Sequence, residues 1–113
     1  MSSGYCKSTN NLISKQVQNY TIFQEMLEVV AKVTEIDAQS IISTSRVAEV
    51  VDARHILVRM LYERGLPQSR ISRCSNFSKS AISQMLSKFD DRMRYGGFAF
   101  KDAVRRCRLL ING

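Results

Sequence analysis

Ser80, Ser83, Gln84 and Ser87 recur at three- and four-residue spacing, with Lys79 and Lys88 at either end. On a helix they share one side, opposite Ala81, Ile82, Met85, Leu86 and Phe89. Such a stripe is narrow, carries short polar groups and is flanked by cations. An element that enters the major groove of a duplex and approaches base edges needs these properties. Gln84 can pair bidentately with adenine. The serines can exchange hydrogen bonds with bases or contact phosphates. Lys79 can reach a phosphate or a guanine. Ser78 suits the cap of this helix, and the first-turn amides behind it form an anion site. Arg70 and Arg73, on the preceding helix, suit backbone contacts that fix register and carry no sequence information. The plain alternative is a solvated face. Serines there are ordinary, and a short helix, a turn and an amphipathic helix can occur without DNA.

The elements that must position these residues follow from apolar spacing and turn chemistry. Residues 1–12, rich in Ser and Asn, read as a mobile tail ahead of a single domain over 13–113. Ile22, Phe23, Met26, Leu27, Val30 and Val33 form one apolar helix face. A break follows at 34–36, and Asp37 can cap a short helix with Ile41 and Ile42. Ser45 is the expected cap of a long helix over 46–64. The apolar arc of that helix uses Val47, Val50, Val51, Leu57, Val58, Met60 and Leu61. Asp52, His55, Arg59 and Glu63 lie opposite.

Arg54 falls inside the apolar arc, where a charge is expensive without a partner. Its stem can lie along the core while the guanidinium reaches the rim. Phosphate is one partner at that rim. An internal acid or carbonyl is the other.

Gly65 suits the end of the long helix and Pro67 the start of the next. The spacing then predicts a helix over 67–74, a turn at 75–77 anchored by Phe77, and a helix over 79–90. Residues 67–90 together read as a helix-turn-helix. A turn at 95–98 precedes a last helix, about 99–111, with Phe100, Ala103, Val104 and Cys107 along one side. That helix is a candidate dimer element or a lid on the core.

Charge is unevenly spread along the 113 residues. Residues 1–44 hold three Lys against four Asp and Glu, whereas residues 45–113 hold fourteen Lys and Arg against six Asp and Glu. A basic half fits a polyanionic partner, because neutralising phosphates releases their counterions. A merely basic surface is the bland reading. Cys6, Cys74 and Cys107 are odd in number and far apart, and His55 is the sole histidine. That composition supports neither a disulfide framework nor a zinc site, and fits structural thiols in a reducing cytoplasm. Met1 leads into polar residues rather than the apolar core of a secretory leader. No apolar run is long enough to span a membrane. There is no glycine-rich phosphate loop and no metal-ligand cluster, so neither an enzyme nor a cofactor is implied.

From about Phe23 to Met93 the chain resembles the C-terminal DNA-binding domain of the bacterial replication initiator DnaA, a Trp-repressor-like helical fold. The segment VAKVTEIDAQSII is similar to the family's helix, linker and small helix, and VVDARHILVRMLYERG to its basic long helix. The resemblance places Arg46 in the basic loop and Arg54 on the long-helix arginine, and so implies backbone and minor-groove contacts for both. The family signature Gly-Gly-Arg-Asp-His-Thr-Thr-Val is replaced here by Asn76-Phe77-Ser78-Lys79-Ser80-Ala81-Ile82. The groove-reading position is kept and the origin-box code is not. The ATPase part of an initiator is absent from the sequence, which implies a standalone relative of the kind a phage or mobile element carries.

The expectation is therefore an all-α, small helical bundle with a helix-turn-helix that binds double-stranded DNA, nucleoid-associated, in replication or transcription control. Its candidate contacts are Arg46, Arg54, Arg70, Arg73, Ser78, Lys79, Ser80, Ser83, Gln84, Ser87 and Lys88. The alternative is a helical protein-interaction module.

Overall fold

Apolar residues at helical spacing dominate the chain, and helices result. The computed structural model describes residues 3–112, with side chains from 18 onward, and holds six helices and no strand among the described residues. They are α1 (Ser3–Thr34), α2 (Ala38–Ile41), α3 (Ala48–Glu63), α4 (Gln68–Ser75), α5 (Lys79–Tyr95) and α6 (Phe98–Asn112). The architecture is a small all-α bundle.

Helix α1 begins at Ser3, inside the stretch expected to be a tail. Beyond Gly4 no glycine or proline interrupts it. Once the packed end at Phe23, Met26, Leu27 and Val30 has nucleated, extending a helix adds one hydrogen bond per residue fixed. Glu35 then takes the left-handed conformation, with φ 58°, and turns the chain out. The Asp37 carboxylate caps α2 by accepting from the Gln39 N–H at 3.0 Å.

Helix α3 starts later than the sequence suggests. Val47 occupies the cap position without a side-chain bond, and Ser45 accepts from the Val47 N–H at 3.3 Å in the turn before it. Ser45 therefore shapes the entry instead of capping the helix, and Arg46 stands outside the helix on an exposed turn.

Burial on α3 is also broader than the expected arc. Ala53 and Ile56 are buried as well, and so is His55, which was expected on the solvent side. The reason is that α3 touches all five other helices. A helix enclosed on most sides has no true polar face.

Gly65, with φ 105°, ends this segment in a conformation that side chains resist. Leu66 is buried behind it. Pro67 sits just before α4 instead of in its first turn. Ile71 drives α4 into the core.

The turn to α5 is tightly specified. Asn76 is left-handed, with φ 67°, a conformation that asparagine tolerates. Ser72 donates to the Phe77 carbonyl and buried Ser75 to the Ile71 carbonyl, each at 2.6 Å. The Ser75 oxygen also accepts from the Phe77 N–H at 3.2 Å. Ser78 then caps α5, accepting from the Ala81 N–H at 3.0 Å. Ile82, Met85 and Phe89 face inward as the spacing predicts.

Helix α5 continues past the expected end at 90. Asp90-Asp91 does not stop it; Gly96-Gly97 does. The Gly96 N–H donates to the Arg92 carbonyl at 2.8 Å, and a Cβ at Gly96 would run into that same oxygen. Arg92 pairs with Asp52 of α3 and not with the adjacent Asp90 or Asp91.

Phe100, Val104 and Cys107 seat α6 on the core. Burial pushes the Cys107 thiol up to about 11. Glu63 of α3 binds Arg108 at 2.7 Å and Arg59 at 3.0 Å. Its burial would raise the carboxyl pKa, but the two arginine hydrogen bonds hold it below the ordinary value.

Candidate nucleic-acid interface

Three segments meet along one groove of about 600 Å³. The turn at 43–46 supplies Ser43, Thr44, Ser45 and Arg46. Helix α3 supplies Val51, Arg54 and His55. The turn at 76–78 and α5 supply Asn76, Phe77, Ser78, Ala81, Gln84, Met85, Lys88 and Arg92. Five of the expected contact residues thus share one groove: Arg46, Arg54, Ser78, Gln84 and Lys88. Among the described residues no acidic side chain lines it. Arg92 is there too, with its charge balanced by Asp52.

The exposed side of α5 continues from this groove. Lys79, Ser80, Ser83, Gln84, Ser87 and Lys88 are all exposed. Asp90 and Asp91 are exposed just beyond them, so the acid-free part of the face runs from Lys79 to Lys88. Arg70 and Arg73 lie on α4 and do not line the groove. Arg73 is exposed and Arg70 half-buried.

Arg54 is largely committed to the fold. Its Nε donates to the Ile41 carbonyl at 2.9 Å, and its guanidinium carbon lies 5.7 Å from the centre of the Phe77 ring. Of the two partners open to it, the internal carbonyl is present, and the arginine ties α2 to the turn before α5. Its Nη2 is buried with no hydrogen-bond partner among the described residues. Burial lowers its pKa. An external anion would meet only a part of this side chain.

His55, which helical spacing places opposite the apolar arc, also lines the groove. Its Nδ1 lies 2.8 Å from the Val51 carbonyl. A carbonyl only accepts, so Nδ1 carries the proton and Nε2 of the neutral ring is an acceptor. Burial depresses its pKa most; the Val51 bond and Asp52 work against this, and Arg92 and Lys88 reinforce it. Helical spacing could have revealed it only with knowledge that α5 covers this flank of α3.

A depressed imidazole pKa makes stability depend on pH. The unfolded chain binds the proton near 6.5 and the folded chain only lower. The contribution is complete above the unfolded value and is lost as pH falls toward the folded one. We expect the urea midpoint to fall between pH 7 and pH 5 (roughly the imidazole range). A His55→Gln variant should show a flatter profile in that window. An equally steep fall in the variant would assign the effect to another group.

No group of three or more His, Cys, Asp or Glu that could hold a metal ion occurs among the described residues. No helix among them is long and apolar enough to cross a membrane. No family model, curated protein or solved structure matches the chain.

Proposed function

We propose that the protein binds double-stranded DNA, with α4 and α5 acting as a helix-turn-helix of the Trp-repressor and DnaA type and α5 entering the major groove. One observation carries this reading. The acid-free groove gathers Arg46, Arg54, Ser78, Gln84 and Lys88 beside the exposed polar face of α5. Arg46 and Lys88 are exposed along the groove and meet phosphates. Gln84 shares the groove with them and is the base-reading residue, with Ser80, Ser83 and Ser87 adding hydrogen bonds. Arg70 and Arg73 hold backbone from α4. Lys79 and the capped start of α5 add a further phosphate contact. Arg54 supports the turn and contributes charge more than a direct contact.

The test is a binding titration of mixed-sequence duplexes against salt. Counterion release predicts affinity that falls steeply, by about 0.9 log units per log unit of salt for each phosphate contacted. Absence of binding at low salt would overturn the reading. Selection from a random duplex pool then separates the two kinds of contact. Gln84→Ala should broaden the selected sites, while Arg70→Ala should weaken all duplexes alike and keep the same preference. Unchanged site selection by the Gln84 variant would remove its base-reading role.

A further inference from the structure

Helix α6 carries a second surface, on the side away from the core. Phe98 is 90% exposed and Leu109 60% exposed. They lie three helical turns apart on the same stripe, with Asp102 and Arg105 between them. An isolated aromatic ring this exposed gains nothing from the bundle. Tyr95, at the end of α5, is also 78% exposed.

The order along this stripe is apolar, acidic, basic, apolar. Reversed, it is complementary to itself. A twofold axis between positions 103 and 104 places Phe98 opposite Leu109 of a second copy, and Asp102 opposite Arg105. All four pairings obey the same symmetry. This is the condition for an isologous interface.

Next to Leu109 there is a depression of about 370 Å³. Lys101, Val104, Arg105, Arg108, Leu109 and Asn112 line its α6 side, and Met93 of α5 contributes to its wall. Among them Arg105, Arg108, Leu109 and Asn112 have the spacing of a hole into which a knob from a facing helix packs. The side chain that the symmetry brings there is Phe98 of the second copy.

Within one chain Asp102 binds Arg105 at 2.7 Å and Arg106 at 2.9 Å. Both arginines are well exposed, so these bonds are weak and free to be shared across a dyad.

We propose that two copies of this chain pair through antiparallel α6 helices, with Phe98 seated beside Leu109 of the other copy and Asp102 facing its Arg105. This surface is independent of the DNA reading. Helix α6 is only about 22 Å long. The contact is smaller than the ~800 Å² per partner of a standard interface, so the dimer is concentration-dependent.

The test is sedimentation velocity of the full chain over a wide concentration range. The parent should pass from monomer to twice that mass as concentration rises. Phe98→Asp and Leu109→Asp should each stay monomeric while keeping the parent's helical circular dichroism, since neither side chain belongs to the core. Asp102→Arg alone and Arg105→Asp alone should also be monomeric, because each sets like charges across the dyad. Mixed in equal amounts, those two variants should regain the doubled mass, since one copy then presents two cations to the other's two anions. A parent that stays monomeric overturns the proposal. So does persistent dimerisation of Phe98→Asp, or a mixture that stays monomeric.

Discussion

Replacing Phe89 with alanine is expected to destabilise the protein by about 3–5 kcal/mol. Phe89 is 1% exposed, and three helices meet at its ring. From α6, Phe100 packs at 5.7 Å between ring centres. From α3, the Arg59 guanidinium lies over the ring, 4.9 Å from its centre. Truncation removes the ring's transfer free energy and leaves a void that rigid helices fill poorly. It also exposes the stem of Arg59 and loosens α6. The measurement is urea denaturation of parent and variant at equal, low concentration. The thermal midpoint should fall by about 4 °C or more for each kcal/mol lost. A loss below about 1 kcal/mol, within the range of ordinary substitutions, would show that the helices close over the gap and that Phe89 is not central.

Reversing two charges at the groove, Arg46→Glu with Lys88→Glu, should have the largest effect on DNA binding. Both side chains are exposed, and neither makes an ion pair among the described residues. The fold should therefore be unaffected, with an unchanged denaturation midpoint. A hydrogen bond to a charged group contributes about 1.5–3 kcal/mol. Each lost phosphate contact then lowers affinity by about tenfold or more, and reversal adds repulsion. The slope of log affinity against log salt should flatten by about two units, one per contact. Parent-like affinity and slope in a folded double variant would place the duplex on another surface.

Local chemistry made much of this architecture legible. Asp37 and Ser78 cap helices because a short side-chain oxygen reaches amides two or three residues on, a relation fully contained in sequence. Ile82, Met85 and Phe89 were legible because α5 has one neighbour-facing side. The misreadings share a cause: they depend on what lies across space. Spacing places His55 opposite the apolar arc, but α3 is enclosed by every other helix, so its inside is wider than one stripe. Arg92 looks like a partner for Asp90 or Asp91 until α3 brings Asp52 to it. Ser45 resembles a cap by type, yet the chain enters α3 two residues later and Val47 takes the position. Arg54 was recognisable as an anomaly, a charge among apolar residues. Only the fold shows that its Nε donates to the Ile41 carbonyl. The groove itself was not legible as a unit, because the turn at 43–46 and α5 are joined only through the packing of α3.

The two glycines between α5 and α6 have unequal histories ahead of them. At position 96 every side chain, even a methyl group, meets a backbone oxygen that cannot move without unwinding the end of α5. At position 97 nothing lies within 4 Å of the corresponding point. Among descendants of this chain the first should be a fixed letter and the second a free one. A lone invariant glycine, following a variable helix and preceding a variable residue, would then serve as a signature by which remote kin are recognised after the charged faces have diverged.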